Sequence, residues 1–219
     1  LQQTERLAVV GELAAGIAHE VKNPLAGIKV SMEVLSHDLE LSQEDREIFL
    51  QVINEIDRIT ALLKNLLNYA RPPKPEYVSF DVHSVLEATI QSVWYSLKGS
   101  AEGNGEPGKK IEFVKDFSPE VPNIVADPGQ LRQVFLNLLL NSRDAIAEQG
   151  AITVRTRKTP DNTIQIIFSD NGKGMDSQSL ENMFKPFYTT KSNGTGLGLA
   201  ISKRLIEQQN GGTIGAEIN

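Results

Sequence analysis

Leu7-Ala8-Val9-Val10-Gly11-Glu12-Leu13-Ala14-Ala15-Gly16-Ile17-Ala18-His19-Glu20-Val21-Lys22-Asn23-Pro24-Leu25 is the stretch on which the reading of this chain turns. Leu7, Val10, Ala14, Ile17, Val21, Pro24, Ile28, Ser31 and Leu35 recur at alternating spacings of three and four, and all but Pro24 and Ser31 are apolar. That is the heptad pattern of a helix packed in a bundle. With Leu7 at a and Val10 at d, His19 falls at f, the position farthest from the seam. A histidine there is presented to whatever can reach it rather than packed.

The pattern extends outward from this stretch. The first helix is expected from about Leu1 to Ser36. Ser42-Gln43-Glu44-Asp45 offers a capping box for a second helix, in which Phe49, Val52, Ile56, Ile59, Leu63, Leu66 and Ala70 again repeat at three and four. Two such helices form an antiparallel hairpin that cannot cover both of its apolar stripes alone. Pairing two hairpins into a dimeric four-helix bundle solves this, so a homodimer is expected. Arg71-Pro72-Pro73-Lys74-Pro75 ends the second helix and gives a semi-rigid linker. The expected organisation is therefore a dimerisation hairpin over 1–71, a Pro-rich linker over 72–76 and a second domain over 77–219.

Beyond the linker the periodicity becomes mixed α and β. Asp81 can cap a helix to about Leu97, and the Gly-rich stretch Gly99–Gly108 reads as a surface loop. Strands are expected at Ile111–Val114 and Ile124–Ala126. Asp127-Pro128 is an N-cap followed by proline at the first helical position, opening a helix to about Glu148. Ile152–Arg157 and Thr163–Ser169 read as paired strands, and a last helix is expected over Leu197–Gln209. Trp94 reads as core. The chain starts inside a helical pattern and stops in what reads as a strand, so a piece of a longer protein with an incomplete C-terminal strand is expected.

Composition narrows the function classes. The 219 residues carry a net charge of −6, which offers no basic face to nucleic acid. The absence of cysteine excludes disulfides, thiol catalysis and thiolate metal sites. No stretch approaches the ~18 uncharged apolar residues of a membrane span, and no signal peptide is evident. A cytoplasmic location is expected, with a membrane tether of the full protein left open.

Four further segments carry chemistry. Asn137-Leu138-Leu139-Leu140-Asn141 places two asparagines four apart on one helix face. Asp170-Asn171-Gly172-Lys173-Gly174-Met175 follows a strand. Phe184-Lys185-Pro186-Phe187-Tyr188-Thr189-Thr190-Lys191 precedes Gly194-Thr195-Gly196-Leu197-Gly198-Leu199, which opens the last helix. Each alone has an ordinary reading: a solvated helix face, a turn, a weak glycine match. Their order together, behind the His19 heptads, is what is informative.

In that order the chain resembles the catalytic core of a sensor histidine kinase of a two-component system. His19–Leu25 resembles its H box, and the other segments resemble the N, G1, F and G2 boxes of the gyrase-type ATP-binding fold. The wording Phe-Tyr-Thr-Thr-Lys before Gly-Thr-Gly-Leu-Gly-Leu is similar to the branch that includes nitrogen-regulation kinases. The resemblance implies a helical hairpin in a dimeric four-helix bundle followed by an α+β sandwich. It implies ATP and Mg²⁺ as ligands, and an upstream sensor domain and a response regulator as partners.

Site roles follow by the same resemblance. His19 is the phosphoryl acceptor, a neutral imidazole being a competent nucleophile at neutral pH. Glu20 handles the ring proton. Asn23, on the face of His19, positions water for dephosphorylation of the response regulator. Pro24 removes a helical hydrogen bond and is expected to bend the helix. Asn141 matches the Mg²⁺ ligand, while Asn137 stands where hydrolysing relatives carry a glutamate base. Asp170 matches the carboxylate that reads the adenine amino group, with Gly172 and Gly174 letting the backbone pass close. Gly194, Thr195, Gly196, Leu197 and Gly198 form a lid over the nucleotide, Lys191 and Arg143 are phosphate partners, and Phe184 and Phe187 anchor the lid by packing. His37 and His83 lack this context and receive no chemistry. Two competing readings are a catalytically silent ATP-binding dimeric scaffold and a gyrase-type ATPase.

Overall fold

A computed structural model of the chain describes residues 2–39, 41–70, 72–103, 109–191, 194–209 and 211–218, with backbone alone for 2–19 and 99–103. It divides into two compact units, Leu1–Pro73 and Lys74–Asn219.

The first unit is a hairpin of α1 (Gln2–Asp38) and α2 (Gln43–Ala70). Helix α1 continues through Pro24. At the start of α2 the Asp45 amide donates to Ser42 Oγ at 3.1 Å, and that hydroxyl donates to Asp45 Oδ2 at 2.6 Å. The shorter acid thus closes the cap on the serine hydroxyl. Val21, Leu25 and Met32 of α1 are half-buried within the hairpin. So is Lys29, whose ammonium donates to both carboxylate oxygens of Asp57 on α2 at 2.6 and 2.7 Å. This hydrogen bond raises the Lys29 pKa above its ordinary value. On α2, Ile56 and Ala70 are buried and Phe49, Ile59, Leu63 and Leu66 half-buried. The heptad stripe of α1 splits: Val21 is half-buried, while Ile28 stays 49% and Leu35 45% exposed. The side chains of Leu7, Val10, Ala14, Ile17 and His19 lie outside the described residues.

The second unit comprises β1 (Val78–Phe80), α3 (Val82–Gly103), β2 (Lys110–Phe117), β3 (Ile124–Ala126), α4 (Pro128–Ala145), β4 (Gln149–Lys158), β5 (Ile164–Asp170), α5 (Ser177–Asn182) and α6 (Gly198–Gln208). One sheet has the order β2-β4-β5, parallel between β2 and β4 (Ile111 opposite Gly150) and antiparallel between β4 and β5 (Ile152 opposite Asp170). Strands β1 and β3 form a separate antiparallel pair. Helix α4 lies centrally, against α3, α6 and the sheet. The core joins Val82, Leu86, Ile90 and Val93 of α3, Leu131, Val134, Phe135 and Leu139 of α4, Ile152 and Val154 of β4, and Ile201 and Leu205 of α6. This is the expected α+β sandwich.

Asp127 is the anchor of α4. Its Oδ1 accepts from the Gln130 amide at 3.0 Å and its Oδ2 from the Glu76 amide at 2.8 Å, so one carboxylate caps the helix and holds the chain leaving the linker. The Asp127 amide donates to Gln209 Oε1 at 3.0 Å, and Gln209 Nε2 donates to the buried Gln130 Oε1 at 2.7 Å. The start of α4 is thereby tied to the end of α6.

Several expectations are corrected. Helix α3 runs on through Gly103, so Gly99–Gly103 is helix rather than loop; 104–108 lie outside the described residues. Helix α4 stops at Ala145 because Ile146 turns extended and buries its side chain. Lys109 Nζ then donates to the carbonyls of Arg143 and Ile146 at 3.1 and 2.7 Å, covering the end of the helix. Trp94 is not core: it is 37% exposed, with the Lys98 ammonium 3.8 Å above its ring. Residues 212–218 carry no strand. His83 proves architectural, stacked on Phe117 at 4.8 Å with its Nε2 2.8 Å from Thr156 Oγ1. No helix among the described residues is long and apolar enough to cross a membrane.

Replacing Asp127 by alanine removes a helix cap and a long-range hydrogen bond together. A loss of about 2 kcal/mol in urea unfolding is expected, at the upper end for a single N-cap.

Candidate functional site

Three connections converge on one face of α4. At its middle, Asn137 Nδ2 donates to Ser202 Oγ of α6 at 2.9 Å, and Asn137 Oδ1 fills the space a side chain at Gly198 would need. Glycine at 198 is what lets α6 begin flush against α4. One turn further, Asn141 Oδ1 accepts from the Lys191 ammonium at 2.8 Å. At the end of α4, a Cβ on Gly172 would lie 2.7 Å from the Ala145 backbone, and the Lys173 amide donates to Ala145 O at 3.0 Å. The turn after β5 is therefore seated on the last residue of the helix.

Asp170, the last residue of β5, turns inward at that seat. Its Oδ1 accepts from the Gly172 amide at 3.0 Å, which fixes the carboxylate, and its second oxygen has no hydrogen-bond partner among the described residues. Gly174 sits at φ 66° with nothing within 4 Å of where a Cβ would be. Asn171 instead faces β4, its Oδ1 accepting from the Ala151 amide at 2.9 Å.

The segment from Phe184 to Leu197 closes the arrangement. Thr189 Oγ1 accepts from the Lys191 amide at 3.1 Å, and the Gly194 amide donates to Lys191 O at 3.2 Å. Gly196, at φ 65°, packs against the backbone of Phe187 and Tyr188 where a Cβ cannot fit. Thr195 Oγ1 accepts from the Leu197 amide at 3.1 Å, and Leu197 is buried. Phe184 is half-buried. Phe187 is not the packed anchor the sequence led us to expect: it is 64% exposed and sits at φ 64°.

Lys191 also donates to Asp144 Oδ2 at 2.8 Å, and Asp144 Oδ1 accepts from Arg143 Nε and Nη2 at 2.9 and 2.8 Å. Burial pushes the Asp144 carboxyl up, but the hydrogen bonds and charges of Lys191 and Arg143 outweigh it and hold the pKa below its ordinary value. Arg143 is thus engaged by its neighbour on α4. Sequence reading missed Asp144 and Ser202. The signal for Asp144 was its spacing, three residues after Asn141 on one helix face.

The arrangement fits a nucleotide with a divalent cation. Mg²⁺ takes hard oxygen donors and shares them with phosphates, and Asn141 supplies an amide oxygen that already holds a cation, the Lys191 ammonium. On the hairpin, His19 lies within α1; Glu20 and Asn23, on the same helix, are exposed.

Comparison with known proteins agrees with this layout. Residues 9–74 match the family model of the His Kinase A (phospho-acceptor) domain, and residues 126–218 match that of the histidine kinase-, DNA gyrase B-, and HSP90-like ATPases. Sensor histidine kinase ZraS of Klebsiella oxytoca is 37% identical over 213 residues, 97% of this chain and 44% of the relative. Sensory histidine kinase/phosphatase NtrB of Rhodobacter capsulatus is 34% identical, over 91% of this chain and 56% of the relative. The crystal structure of histidine kinase ThkA in complex with response regulator protein TrrA superposes with a TM-score of 0.65 at 25% identity, covering 96% of this chain and 58% of that one. The chain carries a phospho-acceptor hairpin and an ATPase-type domain, the two parts of a sensor histidine kinase catalytic core. It spans about half the length of these curated relatives.

Gly196→Ala is expected to lower stability by at least about 1 kcal/mol through its positive φ and its contact with Phe187. Gly215→Ala, with open space around it, is expected to leave the thermal melt unchanged. A second expectation concerns pH. The folded Asp144 carboxyl is more acidic than the unfolded one, so its contribution is complete above the ordinary value of 3.8 and is lost as pH falls through the lower folded value. The stability advantage of the wild type over Asp144→Asn should therefore hold at neutral pH and shrink as pH falls below about 4.

Proposed function

We propose that this chain is the ATP-dependent autokinase core of a two-component system, similar to the nitrogen-regulation branch, which phosphorylates His19 and passes the phosphoryl group to an aspartate of a response regulator. The observation that carries this reading is the convergence on α4. Asn141 at the centre, Asp170 at one end and the Gly194–Gly198 segment at the other surround one face of a helix, in a chain whose other unit matches a phospho-acceptor domain.

In this reading Asp170 takes the adenine amino group on its second oxygen, while Gly172 and Gly174 leave room for the base. Asn141 is the protein's ligand to Mg²⁺, which when bound offsets phosphate charge. Amides of Gly194–Gly198 and the start of α6 take phosphate oxygens, with Lys191 and Arg143 beside them. Asn137 cannot abstract a proton from water, and its bond to Ser202 commits it to holding α6; this favours nucleotide retention over hydrolysis. A ring nitrogen of His19 attacks the γ-phosphorus. The N–P bond forms as the bond to the β–γ bridging oxygen breaks, and ADP leaves. Glu20 receives or shields the ring proton. Asn23, exposed on the same helix, orients a water that hydrolyses the aspartyl phosphate of the regulator, releasing inorganic phosphate and the free carboxylate. Residues 1–71 form the dimerisation and phosphotransfer domain, 72–76 the linker and 77–219 the catalytic domain. An upstream sensor domain governs the core, and its need for ATP assigns it to the cytoplasm.

Incubation with γ-labelled ATP and Mg²⁺ tests this reading. Label that is lost in acid, survives alkali and is absent from His19→Gln is expected. Nucleotide binding with no label in the wild type would favour a silent scaffold, and phosphate release that persists in His19→Ala would favour a gyrase-type ATPase.

The stripe left open on the hairpin supports its pairing with a second copy of this chain. Ile28, Leu35 and Val52 are exposed in one copy. The variant Ile28→Glu/Leu35→Glu should sediment as a monomer where the wild type sediments as a dimer.

A further inference from the structure

Asp144 has no part in the roles above, yet it sits at the busiest point of the site. The Lys191 ammonium lies between Asn141 Oδ1 and Asp144 Oδ2, 2.8 Å from each, while Asp144 Oδ1 is held by the Arg143 guanidinium. Asn141 and Asp144 lie three residues apart on α4 and so face the same way. Lys191 is brought to them by its own turn, through Thr189 Oγ1 and the Gly194 amide. All three charged side chains are between 29% and 39% exposed, so the pairings are neither fully screened nor sealed.

We infer that Asp144 is a positioning residue that parks Lys191 on the Asn141 amide, so that the Lys191 clasp and a nucleotide-bound Mg²⁺ exclude one another at that oxygen. The inference rests on the reading of Asn141 as the metal's protein ligand. A Mg²⁺ ion binds an oxygen at about 2.1 Å. Even on the other lone pair of Asn141 Oδ1 it would stand roughly 4 Å from the ammonium, so the two cations repel one another and compete for the same oxygen. Metal binding therefore expels Lys191 from the amide and frees its charge for a phosphate. Arg143 explains why this exchange is tolerable: it keeps Asp144 compensated after Lys191 departs, where a lone half-buried carboxylate would resist the loss. Without nucleotide, the same clasp fastens the segment before Gly194 to α4. Asp144 thus sets how strongly nucleotide binding depends on the metal.

The test uses the whole chain and a non-hydrolysable ATP analogue, titrated calorimetrically with Mg²⁺ and with chelator. The readout is the dissociation constant in chelator divided by that in Mg²⁺, a ratio that a purely structural role for Asp144 leaves unchanged. Asp144→Asn, which releases Lys191 but keeps its charge, should raise this ratio about two- to fivefold, the range for one partly exposed ion pair; Lys191→Met, which loses the phosphate contact along with the clasp, should raise it less. The double variant should rise no further than Lys191→Met alone, because Asp144 acts through Lys191. In the nucleotide-free protein, amide hydrogen exchange over residues 186–191 should speed up in both single variants. Wild-type ratios in Asp144→Asn and Lys191→Met, beside a ratio abolished in Asn141→Ala, would overturn the clasp and leave the metal reading intact. An undiminished Mg²⁺ effect in Asn141→Ala would instead overturn the metal reading, and the clasp with it.

Discussion

The second unit of this molecule depends on two glycines packed against one helix. Gly198 lies on the Asn137 side chain and Gly172 on the Ala145 backbone, each too close for a Cβ. These contacts pin the start of α6 and the turn after β5 to α4. Residues 137 and 145 are separated by eight helical steps, about 12 Å. Asn141 lies midway, one turn from each. A rigid helix thereby sets the span between the carboxylate of Asp170 and the glycine segment before α6, with an amide oxygen between them. Loops alone would not hold such a spacing.

The second dependence is at the other end of α4. Asp127 joins the chain leaving the linker to the helix cap, and the Gln130–Gln209 pair joins that cap to the end of α6. Tyr77 adds a hydrogen bond to Gln208 O at 2.6 Å. The helix that begins at the glycine segment therefore ends against the residues that follow the linker. A shift of α6 along its axis has to be absorbed there.

Much of this was legible in the sequence because the relevant signals are local. The heptads of α1 and α2, the Asp127-Pro128 start of α4 and the Asn137–Asn141 spacing each follow from one element's own periodicity or cap. What escaped the reading is what depends on packing between elements. Strand β2 extends to Phe117 because β4 supplies a parallel partner along its length. Phe187 looked like a packed aromatic, but Gly196 occupies the space beneath its backbone and holds the residue at positive φ with its ring in solvent. Trp94 lies on the outer face of α3, where the stem and charge of Lys98 cover it. Asp144 drew no reading from the sequence because its partner Lys191 lies 47 residues away. The split of the α1 stripe was also unreadable, since periodicity marks an apolar face without saying which partner covers which part.

The account stands or falls on which atom receives the phosphoryl group, and the chain offers three histidines. After a single turnover with ATP and Mg²⁺, fragment mass spectrometry under alkaline conditions should find the added phosphoryl on His19 alone. His37 at the end of α1 and His83, stacked on Phe117, should remain unmodified. Phosphate on either of those two, or ATP turned over with every histidine bare, would contradict the account.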